Sequence, residues 1–368
     1  MPAHREKIAK RHNLCYTGRS RVFTAPGVFS LSMSLPFFSK LRHKKAYMQI
    51  VQDELQKVRD TIDAQTEHFS PHMRDYMRQV CKGKGKMIRP GLVLLTAAAT
   101  GGIKEEHTTF AAMLEMLHMA SLVHDDVLDK AETRRDQPTP NALWGNELAV
   151  LLGDSMLAQA MVMGAEIGDS RFIRRMALGV RDLCEGEVEQ STRLWDMEMS
   201  RAEYYELIRK KTATLFAMAM AGAAFLQGLD DEMIEQLNRM GTLLGISYQI
   251  YDDCLDLTGS DESAGKTLGT DNEKGKLTLP VFFLMESSSD DVAAYTRNCV
   301  EKHEEIDYAR LRETEAFAEA IHLSVKEGLS RNEEAREVLW MLPESPAREA
   351  LAEMTYRLDE MLRDCCVN

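Results

Sequence analysis

The stretch Leu122-Val123-His124-Asp125-Asp126-Val127-Leu128-Asp129 closes a long apolar run, Phe110-Ala111-Ala112-Met113-Leu114-Glu115-Met116-Leu117-His118-Met119-Ala120-Ser121. The composition and spacing of that run predict a helix buried on most sides. On such a helix Asp125 and Asp129 stand four apart on one face, with Asp126 beside them. Three carboxylates at the end of an apolar helix repel one another and resist burial unless a cation sits among them. A lone D-D-x-x-D reads most simply as an acidic helix end. Here the pattern returns as Tyr251-Asp252-Asp253-Cys254-Leu255-Asp256, again after an apolar helical run, Leu243 to Ile250. Two carboxylate triplets on two helices can then face each other across one cavity.

The rest of the chain suits that picture. Strand signals are scarce, and Ala, Met, Leu, Glu and Arg recur at helical spacing from about Lys45 onward, so the expected class is all-α. No Pro/Gly/Ser linker divides the 368 residues, and residues 46–368 read as one helical domain. The 23 methionines read as flexible core filler. Residues 1–47 carry ten Lys/Arg against Glu6 alone, so a whole-chain charge of −13 leaves −22 for the remainder. Such an acidic body is a poor nucleic-acid binder, and cations held inside its cavity stand out. Residues 1–45 are read as a basic extension, either disordered or a transit peptide.

Seven cysteines, odd in number, scattered and without a C-x-x-C pair, suggest a reducing, cytoplasmic setting and no structural zinc; an organelle is the alternative if residues 1–45 are a transit peptide. The ending Cys365-Cys366-Val367-Asn368 is a poor prenylation signal. No run is expected to reach bilayer-spanning length.

Several basic stretches accompany the two acid clusters. Lys82-Gly83-Lys84-Gly85-Lys86-Met87-Ile88-Arg89-Pro90 is a glycine-rich loop whose proline is placed to start the next helix. Its glycines let backbone approach an anion, while Lys86 and Arg89 suit phosphate oxygens. Arg134 and Arg135 follow the first triplet, within two turns if the helix continues. Further helices are expected over Ala142 to Gly164, Ile173 to Gln190, Ala202 to Phe225 (which carries Lys210-Lys211-Thr212) and from Met233 onward. After the second triplet, Gly265-Lys266 and Gly275-Lys276 flank an acidic turn, the makings of a flap that lays lysines on a phosphate. Walker spacing is absent, so this is no ATP loop. From Ala293 to Leu362 amphipathic helices suggest packing alone.

Six carboxylates facing Lys86, Arg89, Arg134, Arg135, Lys211, Lys266 and Lys276 suit Mg²⁺, a hard cation that completes its shell with waters and substrate phosphates. The ligand implied is a diphosphate, and the apolar helices around it call for a greasy remainder.

These motifs together, the two aspartate triplets, Gly85-Lys86-x-x-Arg89-Pro90, Arg134-Arg135, Lys211-Thr212, Tyr248-Gln249 and Gly265-Lys266, stand in the order that resembles trans-isoprenyl diphosphate synthases, over roughly residues 47–290. The resemblance implies an all-helical fold around a deep cavity, usually a homodimer, and head-to-tail condensation of isopentenyl diphosphate with an allylic diphosphate. It implies that Asp125, Asp129 and Asp252 coordinate several Mg²⁺ ions on the allylic diphosphate, supported by Asp126, Asp253 and Asp256 through hydrogen bonds or waters. It places Arg134, Lys211 and Lys266 on the same diphosphate. Gly85, Lys86, Arg89, His118 and Arg135 would seat isopentenyl diphosphate. The Lys211 carbonyl, Thr212 hydroxyl and Gln249 amide oxygen would face the allylic cation. His118, on an apolar helix, reads by itself as a satisfied core histidine. One departure is Asp136, where the family commonly has Gly.

Product length is expected to follow from the central helix. Bulky aromatics four or five positions before the first aspartate stop growth early in the family, whereas this chain has Ala120 and Ser121. A tail is therefore expected to pass them and run by Leu117 toward Met113, giving a product longer than farnesyl, with a short-chain (geranylgeranyl or farnesyl) diphosphate synthase as the alternative. Three rivals are weaker. A terpene cyclase would carry Asn-Asp-x-x-Ser/Thr-x-x-x-Glu at the second site, and a di-iron bundle would need a second Glu-x-x-His beyond Glu115-Met116-Leu117-His118. A non-catalytic subunit tends to lose acidic motifs that are intact here, while an active chain needing a small partner stays open.

Overall fold

In the computed structural model the described residues are 47–82, 85–134, 137–259 and 270–366. The expected all-α class holds. Helix α1 (Tyr47–Gln65) buries Val51, Leu55, Val58 and Ile62, a stripe at helical spacing that turns one face to the core. A 3-10 turn (Thr66–His68) leads to α2 (Pro71–Cys81), which has proline at its first position. Helix α3 (Ile88–Thr100) begins two residues before Pro90, the residue expected to start it. The left-handed Met87 (φ 52°) turns the chain in, and a proline in the first turn removes no hydrogen bond the helix needs.

The central helix α4 (Glu105–Leu128) starts earlier than its apolar run. The Lys104 N–H donates to His107 Nδ1 at 3.0 Å, and the other ring nitrogen, carrying the proton, lies 3.1 Å from the Ala223 carbonyl. Every residue from Phe110 to Leu117 is buried. At the far end, Lys130 adopts φ 52°, its N–H reaches the Val127 carbonyl, and the Ala131 N–H reaches the Asp126 carbonyl at 2.9 Å. That pair of bonds is a Schellman motif, and it ends the helix. The arginines therefore do not follow on a continuing helix. Instead the chain reverses into a short ribbon, β1 (Thr133–Arg134) antiparallel to β2 (Gln137–Pro138), the one sheet among the described residues.

The helix expected over Ala142 to Gly164 is split by Gly145 (φ 86°) into α5 (Pro140–Trp144) and α6 (Asn146–Glu166). By length and composition alone α6 could cross a membrane, contrary to the expectation that no run is long enough. Here it lies along α4 and buries Ala149, Leu152, Gly153, Met156, Ala160, Met163 and Gly164. Helix α7 (Ser170–Thr192) is capped by Asp169.

The helix expected over Ala202 to Phe225 is likewise interrupted. Helix α8 (Arg201–Ile208), opened by a Ser200–Glu203 capping box, runs into a π turn (Arg209–Ala213) and then α9 (Thr214–Gln227). Helix α10 (Asp231–Thr258) carries the second acid cluster near its end and is capped by Asp230. The remainder is α11 (Thr270–Glu273), α12 (Leu279–Met285), α13 (Asp290–Lys302), α14 (Tyr308–Leu311), α15 (Glu315–Leu339) and α16 (Pro346–Asp364).

The largest apolar cluster joins α1, α3, α4, α9 and α10, and residues Thr214 to Ala224 of α9 are all buried. Each fully buried Leu, Met or Phe there contributes about 1.5–3 kcal/mol of transfer free energy. This core fixes α4, α9 and α10, the helices that present the site.

Candidate active site

Both acid clusters sit where an apolar helix ends, and their members divide by burial. Asp125, Asp129 and Asp252 are half-buried, while Asp126, Asp253 and Asp256 are buried. The buried Asp126 accepts a hydrogen bond from Arg134 Nε at 2.8 Å, made possible by the chain reversal at Lys130. Asp253 Oδ2 accepts from the Tyr204 hydroxyl at 2.6 Å and Oδ1 from Gln249 Nε2 at 2.7 Å.

Two lysines past the second cluster reach the first one. Lys276 Nζ lies 3.7 Å from Asp129 and 3.2 Å from Asp271, and Lys274 Nζ lies 3.2 Å from Asp129. Burial opposes ionisation of Asp129, but Lys276 and Lys274 outweigh it and hold its carboxyl below the usual range. Asp125 is the opposite case. Burial, reinforced by the negative charge of Glu187, pushes it up to about 6 despite Lys211 and Arg134. Burial and the charge of Asp271 push Asp253 up to about 7, although its bonds from Tyr204 and Gln249 favour the charged form.

The π turn carries the next group. Lys211 Nζ is 2.8 Å from Glu187 and 2.6 Å from Gln190 Oε1, both on α7. The Thr212 hydroxyl donates to Gln249 Oε1 at 2.6 Å. Two glycines clamp this turn. A Cβ on Gly186 would lie 2.9 Å from the Lys211 nitrogen, and one on Gly245 would lie 2.4 Å from the Ala213 Cα. Side chains at either place would push the turn out of register.

The basic loop reaches the same neighbourhood through aromatic contacts. Arg89, in the first turn of α3, lies over the Phe216 ring at 5.2 Å, and Phe216 faces Tyr248 at 5.6 Å, next to Gln249. A helix N-terminus bearing an arginine is a suitable anion seat. Gly85 and His118 are half-buried, and Lys86 is exposed. Arg135, Asp136 and Lys266 lie outside the described residues.

Along α4, Ala120 is buried against Met77, Leu152 and Met156, whereas Leu117 and Met113 belong to the main core. Ser121 Oγ turns back to the His118 carbonyl at 2.8 Å. The Met113 thioether abuts Gly164, and one turn below it Phe110 meets Phe172 edge-on at 5.2 Å.

Among the described residues no three His, Cys, Asp or Glu side chains already converge on a point that could hold a metal ion. The residues fit a hard divalent cation nonetheless. Asp125 and Asp252 offer oxygen donors, and a positive charge beside Asp125 would relieve both its burial and its repulsion from Glu187.

Several participants escaped the sequence reading. Glu187 and Gln190 orient Lys211, Lys274 and Asp271 join the Lys276 cluster, and Tyr204 holds Asp253. Lys274 and Asp271 lay within the flap already singled out. Tyr204, Glu187 and Gln190 are brought in from other helices, with no local pattern to mark them.

Residues 70–314 match the sequence profile described as Polyprenyl synthetase. The chain is 35% identical over 329 residues to solanesyl diphosphate synthase 1, chloroplastic, of Arabidopsis thaliana, covering 85% of this chain and 78% of that one. Among solved structures it is similar to a decaprenyl diphosphate synthase from Rhodobacter capsulatus (TM-score 0.78, 29% identity, 86% of this chain and 98% of the other). It is equally similar to a polyprenyl synthase from Caulobacter crescentus complexed with calcium and isoprenyl diphosphate (TM-score 0.78, 28% identity, 85% and 97%). The chain therefore belongs to the polyprenyl synthetase family and is a prenyltransferase.

Proposed function

We propose that this protein condenses isopentenyl diphosphate head-to-tail with an allylic diphosphate, with Mg²⁺ bound, and releases a trans-polyprenyl diphosphate longer than farnesyl. The observation that carries the reading is the Thr212–Gln249 pair at 2.6 Å, set beside two acid clusters and their lysines. It supports the reading because oxygen acceptors near carboxylates and lysines are the combination an allylic cation leaving a diphosphate requires.

Asp125, Asp129 and Asp252 would hold Mg²⁺, which supplies charge neutralisation for the departing diphosphate. Arg134, Lys211 and Lys276 bind that diphosphate, joined by Lys266. Asp126 orients Arg134, and Glu187 with Gln190 orient Lys211. As the allylic carbon–oxygen bond breaks, its electron pair leaves with the diphosphate. The Lys211 carbonyl, Thr212 and Gln249 face the cation left behind. Gly85, Lys86, Arg89, His118 and Arg135 seat isopentenyl diphosphate so that its double bond attacks the cation. The neighbouring carbon then loses a proton, which the released diphosphate accepts.

The long product rests on Ala120 and Ser121, too small to stop a tail, and on relatives whose names specify solanesyl and decaprenyl products. A homodimer fits the exposed apolar side chains Leu143, Val150, Leu151 and Val162 on α5 and α6, which a second copy would cover. The described cysteines are all free, which favours a reducing compartment such as the cytoplasm. The test is release of diphosphate from an allylic diphosphate and isopentenyl diphosphate, one per condensation. Chelation of Mg²⁺ should abolish it, and release that persists under chelation overturns the metal reading.

A further inference from the structure

Tyr204 is a tyrosine that no step of the reaction uses, yet its hydroxyl sits at one end of an unbroken chain of hydrogen bonds leading to the reacting centre. Its ring is buried, edge-on to Tyr205 at 5.4 Å and tilted against Phe282 at 5.8 Å. From its hydroxyl the chain runs through Asp253 (2.6 Å) and Gln249 (2.7 Å) to the Thr212 hydroxyl (2.6 Å).

The direction of each bond follows from what the groups can do. Both Asp253 oxygens are taken, Oδ2 by Tyr204 and Oδ1 by Gln249 Nε2. With its nitrogen committed there, Gln249 presents only its oxygen to Thr212. With Asp253 ionised, the form that its bonds from Tyr204 and Gln249 favour, turning the amide over would set Oε1 against Oδ1, two acceptors in contact inside the protein. Thr212 must then point its proton at Gln249, so the lone pairs of its own oxygen remain for the site. A developing cation needs acceptors there, and a hydroxyl proton turned toward it would oppose the charge.

The backbone supports the same arrangement. Tyr204 and Thr212 are eight residues apart, which in a regular α-helix would set them about 80° apart around the axis. The π turn at Arg209–Ala213 adds one residue to a turn and brings that offset to about 20°. Both side chains can then address one face of α10, where Gln249 and Asp253 stand four residues apart.

We propose that Tyr204 is a positioning residue for the condensation, fixing through Asp253 and Gln249 the orientation of the Thr212 hydroxyl. The proposal rests on the reading above that Thr212 and Gln249 face the allylic cation. Removing the Tyr204 hydroxyl leaves Asp253 Oδ2 without its donor, frees the carboxyl to re-pair, and loosens the Gln249 amide and the Thr212 proton with it.

The test is a double-mutant cycle of Tyr204→Phe and Thr212→Val, with kcat, both KM values and the Mg²⁺ dependence measured for the full chain. Tyr204→Phe should lower kcat about tenfold and change KM and Mg²⁺ dependence by less than about twofold. In the Thr212→Val background the same change should cost less than about twofold, because the group it orients is gone. Equal losses in both backgrounds, a loss confined to KM, or an undiminished kcat overturns the proposal. Should Tyr204→Phe fail to fold, judged by thermal unfolding, Asp253→Leu deletes that bond together with the one from Gln249 and is read in the same cycle. Failure of the underlying reading looks different: wild type does not condense, or Thr212→Val alone keeps full kcat.

Discussion

Arg134 Nε donates to Asp126 Oδ1 across 2.8 Å, although Asp126 lies in α4 and Arg134 in β1, beyond the end of that helix. The Schellman turn at Lys130 folds the chain back so that the middle carboxylate of the first triplet grips an arginine. In the proposed mechanism Asp126 thereby orients a group that binds the diphosphate, and Asp125 and Asp129 are left for the metal. Asp126→Asn should therefore raise KM for the allylic diphosphate about tenfold and leave the Mg²⁺ dependence near wild type. Asp125→Asn should lower kcat by on the order of 10²–10³ and shift the Mg²⁺ dependence upward. Titrating both variants with Mg²⁺ at saturating substrate checks the difference; equal Mg²⁺ shifts would contradict it.

The clamp on the π turn makes a stability prediction. Gly245→Ala sets a methyl group against Ala213 backbone, which no rotamer change can relieve. Thermal unfolding should show a loss of about 1–3 kcal/mol, accompanied by reduced kcat because Thr212 moves with the turn. Gly91→Ala in α3, where a Cβ would meet nothing within 4 Å, should instead be neutral or gain up to about 1 kcal/mol.

How far the sequence could be read follows the range of the interactions concerned. The α4 and α10 acid clusters, the small residues at Ala120 and Ser121, and the lysines proposed to bind phosphate are local patterns, visible as spacing. The carboxylates stand at the end of α4, as their place after the apolar run implies, but the reversal that follows has no local mark, because Lys130 takes a left-handed conformation that usually calls for glycine. The break before α9 has no local mark because Arg209 to Ala213 have ordinary helical composition, and the glycines packed against the π turn, Gly186 and Gly245, lie on other helices. Tyr204 was invisible for the same reason: its meaning comes from Asp253, 49 residues away.

Stability should depend on pH through His107. Burial lowers its pKa below 6.5, against the opposing effect of its bond to the Ala223 carbonyl. The neutral ring is the form that caps α4, so its contribution is complete above about 6.5 and declines as pH falls through the lowered native value. Denaturant midpoints at pH 7.5 and 5.5 should fall more for wild type than for His107→Gln. An equal fall in the two proteins would exclude His107 as a source.

Product length offers a steric test on α4. Ala120→Phe sets a ring among Met77, Leu152 and Met156 and should shorten the product toward farnesyl. Further down, Phe110→Ala removes the ring that meets Phe172 and should lengthen the product, at a cost of about 3–5 kcal/mol in stability. Chromatography of dephosphorylated products reads both; an unchanged distribution in Ala120→Phe would remove α4 as the ruler.

The most direct measurement is to incubate the purified chain with Mg²⁺, isopentenyl diphosphate and, separately, geranyl, farnesyl or geranylgeranyl diphosphate, then size the dephosphorylated products. Condensation from an allylic primer, with products extended beyond farnesyl, is the expected result. Products that stop at farnesyl, or no condensation with any of the three primers, would contradict it.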